Sequence, residues 1–312
     1  MEQQPTISII MTAYNSGKYI EQAVRSLLVQ DFTDFELVAV DDGSKDDTGA
    51  ILDRLAKEDS RIRVFHQINR GICAASNFAV SKTRADVIAR MDSDDVAHPD
   101  RLGKQLAYMR EHGLACLGTY VEFIDHKGRL LTEIKSPHDH DAIQETLMRG
   151  HCCIWHSSAM FTREVFDKAG GYDEDFDCSV DMDLWLRMGE VGKMGNVPES
   201  LQQYRMHFDS VSSHRRNKQR DMGREACERA ARRRGVACKF TAHEDWRPGG
   251  DRESRFNYAL RFGWWAFNSG EQYTAAVYGM KAIGLHPWSL RGWRLLGSAL
   301  LKPRRKTEGV TA

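Results

Sequence analysis

Val87-Ile88-Ala89-Arg90-Met91-Asp92-Ser93-Asp94-Asp95 is a short, mostly apolar run that ends abruptly on three aspartates. A run of that length bounded by polar residues predicts a buried strand. The same arrangement stands twice upstream. Ile7-Ser8-Ile9-Ile10-Met11 leads into Thr12-Ala13-Tyr14-Asn15-Ser16-Gly17, and Phe35–Val40 leads into Asp41-Asp42-Gly43-Ser44. Between these runs, apolar residues recur at helical spacing at Ile20, Ala23, Val24, Leu27 and Leu28, and again at Ile51, Leu52 and Leu55. Ile62–Phe65 adds a third strand and Ala74–Val80 another helix. Strands alternating with helices predict a mainly parallel sheet covered on both faces, an α/β fold. Ligands of such sheets bind beyond the carboxyl ends of the strands. Asp, Gly and Ser are also ordinary turn residues, which explains any one cluster alone. Three such clusters in succession at one sheet edge make a site.

Clustered aspartates at a strand end suit a hard divalent cation, Mg²⁺ or Mn²⁺, which keeps substrate phosphates among its ligands. There such an ion neutralises a departing diphosphate. The chain has neither a GxxxxGK[ST] loop nor a GxGxxG fingerprint, so a P-loop or dinucleotide fold does not explain a phosphate site. A metal-held nucleoside diphosphate remains.

Further along, Pro99–His112 reads as a helix, and Ala115–Ile124 and Leu130–Ile134 as strands about an Asp125–Gly128 turn. After a loop come a strand at Ser158–Thr162, a helix at Arg163–Ala169 and a Gly170-Gly171 break. Asp181–Met188 is helical, with Leu184, Trp185 and Met188 on one side, and Leu201–Met206 is a last strand. Beyond about His214 the character changes. An Arg-rich helix at Arg215–Arg234 and a linker near Trp246–Asp251 precede a helix–turn–helix stretch. There Tyr273, Val277, Met280 and Ile283 line one face and Leu290, Trp293, Leu296 and Leu300 another.

Taken in order, the motifs resemble those of the family 2 glycosyltransferases, inverting enzymes of the GT-A fold. The resemblance rests on Ser8–Asn15, Val40–Thr48, Asn69-Arg70-Gly71, Asn77 and Met91–Asp95. Asp181-Met182-Asp183-Leu184-Trp185-Leu186-Arg187 and Tyr204-Arg205-Met206-His207 continue it, so that it covers roughly residues 5–213. It implies a catalytic domain over 1–213, with a donor half to about 100 and an acceptor half after it, and a helical extension over 214–312. By the same resemblance, Thr12, Ala13, Tyr14 and Asn15 line the base and ribose pocket, and Asp42 accepts a hydrogen bond from the nucleobase, which suits uridine. Asn77, Ser93 and Arg205 join the donor site; Asp92 touches ribose or metal, Asp94 binds the metal and Asp95 faces the donor sugar. An alternative for Asp95 is capping the helix after Pro99. His207 reaches back to the metal or diphosphate. Asp181 is the general base that takes the acceptor hydroxyl's proton, although Val180 replaces the family's usual Glu before it. An N-cap is the structural alternative for Asp181, and Asp183 suits a helix first turn. His151, His156 and Trp155 are candidates for an acceptor floor.

The implied activity moves a sugar from a nucleoside-diphosphate donor, UDP above all, to a carbohydrate or lipid-linked acceptor. Its rivals are a nucleotidyltransferase, a glycoside hydrolase and a non-catalytic scaffold recruiting through its helical tail. The first would carry a Gly-rich basic loop where Thr12–Gly17 has one glycine, with Lys18 after it. The second needs two carboxylates about a bond rather than strand-end aspartates of a nucleotide site. Lys plus Arg and Asp plus Glu number 44 each, so no basic field points to nucleic acid. Seven scattered cysteines without a CxxC pair read as reduced thiols, and with no signal peptide the expected location is cytoplasmic. The Trp-rich tail and Lys302-Pro303-Arg304-Arg305-Lys306 suit peripheral attachment to an anionic membrane face. The alternative is that the aromatic residues pack on the catalytic domain or on a second subunit.

Overall fold

The computed structural model describes residues 4–207, 216–242, 251–301 and 310–311. Strands β1 (Ile7–Ala13), β2 (Phe35–Asp41), β3 (Ile62–His66) and β4 (Val87–Asp92) lie in the order β3-β2-β1-β4, all parallel. Ile7, Ile9 and Met11 point into one core with Val24 and Leu27 of α1 (Ile20–Leu28) and Leu52 and Leu55 of α2 (Thr48–Glu58). Ile10, Val38 and Val40 point into the other, with Ala75 and Ala79 of α3 (Ile72–Lys82). The two-residue period of a strand divides them, and burial on both faces is why these runs are continuously apolar. Ala13 pairs with Asp41 and Thr12 with Asp92, so the three polar clusters lie side by side at one edge.

Beyond β4 the sheet turns antiparallel through β8 (Met160–Thr162), β6 (Cys116–Asp125) and β7 (Leu130–Lys135). Strand β9 (Met194–Met206) runs parallel to β6 along its whole length and also pairs with β5 (Val96–Ala97). That return brings Arg205 and His207 back to the loop after β4. The last strand starts well before Leu201, because Pro198 and Glu199 form a bulge opposite Thr119 and Tyr120 that breaks the alternating pattern. Helices α4 (Arg101–His112), α6 (Arg163–Ala169) and α7 (Val180–Val191) stand as expected. Helix α5 (His140–Met148) occupies a stretch read as loop; Asp139 caps it by accepting from Ala142 N at 2.9 Å.

Helix α8 (Arg216–Arg234) buries Ala226, Cys227, Ala230 and Ala231 in the core shared with α5 and α7. Three helices follow rather than two: α9 (Arg252–Asn268), α10 (Gln272–Leu285) and α11 (Leu290–Leu301). Phe256, Leu260 and Phe262 pack on Val121, Phe123, Leu131 and Trp155 of the sheet side. The faces they bury are not the large apolar stripes. Tyr273 and Met280 are exposed while Ala275, Tyr278 and Ala282 are buried; Leu290, Trp293 and Leu300 are exposed while Gly292, Leu295 and Ala299 are buried. Glycine is the physical reason. A Cβ on Gly263 would lie 2.3 Å from Leu295 Cδ2, one on Gly279 3.0 Å from Leu296 Cα, and one on Gly292 3.0 Å from Ile283 Cγ1. Small residues let the backbones approach against Ile283 and Leu296, while Tyr273, Met280, Leu290, Trp293 and Leu300 turn outward. Strand β10 (Val310–Thr311) pairs with β7. The basic stretch at Lys302–Lys306 and most of the linker around Trp246 lie outside the described residues.

Candidate active site

Side chains and backbone bind the three strand-end loops into one unit. Asn15, at φ 51°, donates its N–H to Ser44 Oγ at 2.9 Å and accepts from Lys45 N at 2.8 Å. Asparagine is among the few residues that tolerate that left-handed conformation. Ser16 Oγ and Ser93 Oγ are 2.7 Å apart, joining the first loop to the third. Ala13 O accepts from Asp42 N at 2.9 Å, and Tyr14 stands about half exposed at the rim. Gly43, at φ +76°, is required: a Cβ there would lie 2.7 Å from Asn69 N. The Asp42 carboxylate accepts from Gln67 Nε2 (2.7 Å), Arg70 N (2.9 Å) and Gly71 N (3.0 Å). With about four acceptor positions on a carboxylate, roughly one remains for a ligand N–H.

Beneath this edge lies Arg90 of β4, fully buried. Its Nη2 donates to Asp92 Oδ1 at 2.9 Å and Thr12 Oγ1 at 3.0 Å, and its Nη1 to Ser76 Oγ at 3.1 Å. Desolvation opposes the Asp92 charge, but the Arg90 guanidinium outweighs it and holds the carboxyl below its usual range. Buried His156 Nδ1 lies 3.8 Å from Asp92 Oδ1, while its Nε2 meets Tyr172 Oη at 2.8 Å. Burial, helped by the Arg90 charge, lowers the His156 pKa to about 4, so its imidazole is neutral. Arg101, also fully buried, braces β4 by donating to Arg90 O at 2.7 Å and to Gln202 Oε1 at 2.9 Å.

His207 Nε2 lies 2.8 Å from Asp94 Oδ2. The Arg205 backbone N–H, two residues earlier, donates to Asp95 Oδ1 at 2.7 Å. Arg205 Nε donates to Asp94 O at 2.7 Å, and Nη2 to Gln22 Oε1 at 2.9 Å. Arg205 is buried and thus holds the aspartate loop in place, where the sequence suggested a donor contact. Asn77 is likewise spent on structure: both side-chain ends bind the Tyr172 backbone, at 2.9 Å each. Asp95 does not cap α4, whose N-cap is Asp100. Its burial, with Asp94 and Asp92 beside it, pushes its carboxyl well above the ordinary range. Among the described residues no three His, Cys, Asp or Glu side chains are gathered to hold a metal. Asp94 and His207 nonetheless fit one: a carboxylate and an imidazole suit Mn²⁺ or Mg²⁺ when substrate phosphates complete the shell. Asp92, proposed as a ligand from the sequence, gives its Oδ1 to Arg90.

Asp181 sits in the first turn of α7, two residues past the N-cap Ser179, so it is not the cap. Cys152 Sγ approaches its Oδ2 at 3.5 Å. The Asp181 charge bears on both His156 and Tyr172, as does that of Asp92. Asp183 is structural: it accepts from Arg187 Nη2 at 2.5 Å, and Arg187 also donates to the carbonyls of Ala169 and Gly171. Trp155 belongs to the core under α9, stacked edge-on against Phe123, rather than to an acceptor floor.

The sequence pattern of Glycosyl transferase family 2 matches residues 8–170. The chain belongs to that family. An O-antigen biosynthesis glycosyltransferase of Escherichia coli, WbnJ, is 35% identical over 209 residues, 66% of this chain and 81% of that protein. The chondroitin synthase of Escherichia coli is 33% identical over 213 residues, 68% of this chain but 30% of that longer protein. Among solved structures, the mannosyltransferase PcManGT of Pyrobaculum calidifontis, with GDP-Man and Mn²⁺, superposes with TM-score 0.59 at 16% identity, covering 96% of this chain and 87% of that one. S. aureus TarS 1-349 with UDP-GlcNAc gives 0.56 at 16% identity, covering 95% and 79%. At that identity the likeness is one of fold, the GT-A fold.

For this family 2 glycosyltransferase, the sequence reading missed Arg90, Tyr172 and the hydrogen bond of His156 to Tyr172. One signal was there: Arg90 is the only charged residue inside the apolar run Val87–Met91. A charge in a strand buried on both faces must be paired.

Proposed function

We propose that the chain is an inverting, metal-dependent transferase moving a sugar from a nucleoside-diphosphate donor, UDP in the first instance, to a hydroxyl of a carbohydrate or lipid-linked acceptor in polysaccharide assembly. The observation that carries this reading is the meeting of Asp94 and His207, 2.8 Å apart, at the edge where the three strands end. Bound there, Mn²⁺ or Mg²⁺ supplies Lewis-acid neutralisation of the departing diphosphate. Asp42 accepts from the base N–H, and Thr12, Ala13, Tyr14 and Asn15 form the pocket wall. The acceptor oxygen attacks the anomeric carbon from the face opposite the diphosphate, Asp181 takes its proton, and the carbon–oxygen bond to phosphate breaks with its electron pair leaving on the nucleotide. Asp95 is the neighbour that faces the donor sugar, its carboxyl raised above the ordinary range by burial and by Asp94 and Asp92 beside it. Cys73, Cys116, Cys153 and Cys227 are buried thiols, which suits work in a reducing compartment, the cytoplasm.

The test is nucleotide release from a panel of nucleotide sugars by the full chain, with Mn²⁺ and with EDTA. Release that requires metal, and that Asp94→Ala or His207→Ala removes, supports the reading. Turnover indifferent to EDTA overturns the metal assignment, and turnover of nucleoside triphosphates instead of nucleotide sugars overturns the class.

A further inference from the structure

We infer that the outer face of the α9–α11 unit docks on an anionic lipid bilayer, with lipid phosphate seated in the groove between α9 and α11. Helix α11 is apolar on both sides. Gly292, Leu295 and Ala299 face inward, while Leu290 (82% exposed), Trp293 (52%), Leu300 (69%) and Leu301 (85%) face water. Trp288, just before it, is 96% exposed. A surface helix in water carries charged residues on its outer side. Single exposed apolar residues are ordinary, but five within one turn and helix form a patch of the kind that marks an interaction site.

Charge selects the occupant. From Gln272 to Leu301 there is no Asp or Glu, while Lys281, Arg291 and Arg294 are present. A groove of about 760 Å³ is lined by Asn257, Leu260, Arg261, Trp264, Arg291 and Arg294. Asn257 Oδ1 accepts from Arg291 Nη1 at 3.1 Å, which aims that guanidinium. Guanidinium groups grip phosphate oxygens in pairs. Tryptophan and leucine beside arginine on one helical face are the composition of a helix lying at the headgroup boundary. A second copy fits poorly, because a two-fold interface would set this acid-free strip against itself. No helix among the described residues is long and apolar enough to cross a membrane, so attachment is peripheral. The inference stands apart from the donor chemistry above.

The experiment is flotation of the full chain with phosphatidylcholine vesicles and with vesicles containing phosphatidylglycerol. The protein rises with the anionic vesicles only, and detaches near 1 M salt, where the Debye length is about 3 Å. A double variant R291E/R294E and a double variant W288S/W293S each lower the bound fraction by roughly tenfold or more. Melting temperature and nucleotide release stay at their original values in both, which separates loss of docking from loss of fold. Failure to float at low salt overturns the inference, as does equal flotation of either variant. Inorganic phosphate bound by a chain that ignores vesicles makes the groove a free-anion site. A wild-type dimer that W288S/W293S converts to monomer, without vesicle binding, makes the patch a self-interface. Either outcome also overturns it.

Discussion

His207 Nε2 meets Asp94 Oδ2 at 2.8 Å across 113 residues of chain, with the Tyr19 ring centroid 5.0 Å from that of the imidazole. The pairing of β5 with β9 and the hydrogen bonds of Arg205 to the aspartate loop fix this meeting before any ligand arrives. Little ordering therefore remains when metal and diphosphate bind. Asp94→Ala and His207→Ala should each weaken Mn²⁺-dependent donor binding by about 10-fold or more, the scale of a lost ligand or its support. Titration calorimetry with and without Mn²⁺ checks it; unchanged affinity in both variants removes these residues from the metal site.

Asp92 and Asp94 should part company in stability. As members of a carboxylate cluster alone, either could be removed with relief of repulsion and an intact fold. The structure shows that Asp92 neutralises the fully buried Arg90, whereas the Asp94 side chain is partly exposed and, among the described residues, hydrogen-bonds His207. Stranding a buried charge costs about 3 kcal/mol, at the low end because Asp92 keeps some exposure. At roughly 2–4 °C per kcal/mol for a protein of this size, Asp92→Ala should melt about 10 °C lower. Asp94→Ala should stay within about 2 °C. Thermal melts without ligand decide it, and equal melting of the two variants contradicts the pairing.

His156 should set part of the acid sensitivity. Burial lowers its pKa to about 4 in the folded chain, against an ordinary value of 6.5. The unfolded chain therefore binds the proton first, and stability that is full above pH 6.5 declines as pH falls toward 4. The shift amounts to on the order of 3 kcal/mol. His156→Gln keeps a donor for Tyr172 and cannot titrate. Its denaturation free energy should fall less steeply between pH 6.5 and 4 than that of the original chain. Parallel slopes in urea titrations across this window would show that His156 is not the group responsible.

Strand ends and their polar loops were legible because a doubly covered sheet makes strands continuously apolar, so that Asp92, Asp41 and Thr12 mark their limits. Asp94 and His207 were legible only through the family's motif order, since nothing local says that β9 returns beside β5. Arg90 was legible as a charge that must find a partner in a doubly covered sheet, but its partners Asp92, Thr12 and Ser76 come from β4, β1 and α3 and are visible only once these are packed. Arg205 and Asn77, named for the donor, also hold loops, a part not legible in sequence because polar side chains near a site serve backbone carbonyls and amides as readily as ligands. The C-terminal helices inverted the usual rule. There Gly263, Gly279 and Gly292 set the packing distance, and the large apolar residues a pattern reading assigns to the core were left outside.

Asp181 separates binding from chemistry. It stands in the first turn of α7, apart from the Asp94–His207 pair. Among the described residues the Cys152 thiol, a weak donor, approaches the Asp181 Oδ2 at 3.5 Å. Asp181→Asn keeps the shape, loses the basicity and touches neither Asp94 nor His207. Donor affinity should therefore match the original chain, while transfer falls by about 100-fold or more, the range of a lost general base. Slow hydrolysis of the donor should fall less, because water is present in excess and needs no fixed acceptor pose. Measuring donor binding, donor hydrolysis and transfer on one preparation distinguishes the outcomes. Transfer near its original rate moves the base to another carboxylate in the pocket, and a matching fall in donor affinity makes Asp181 a binding residue instead.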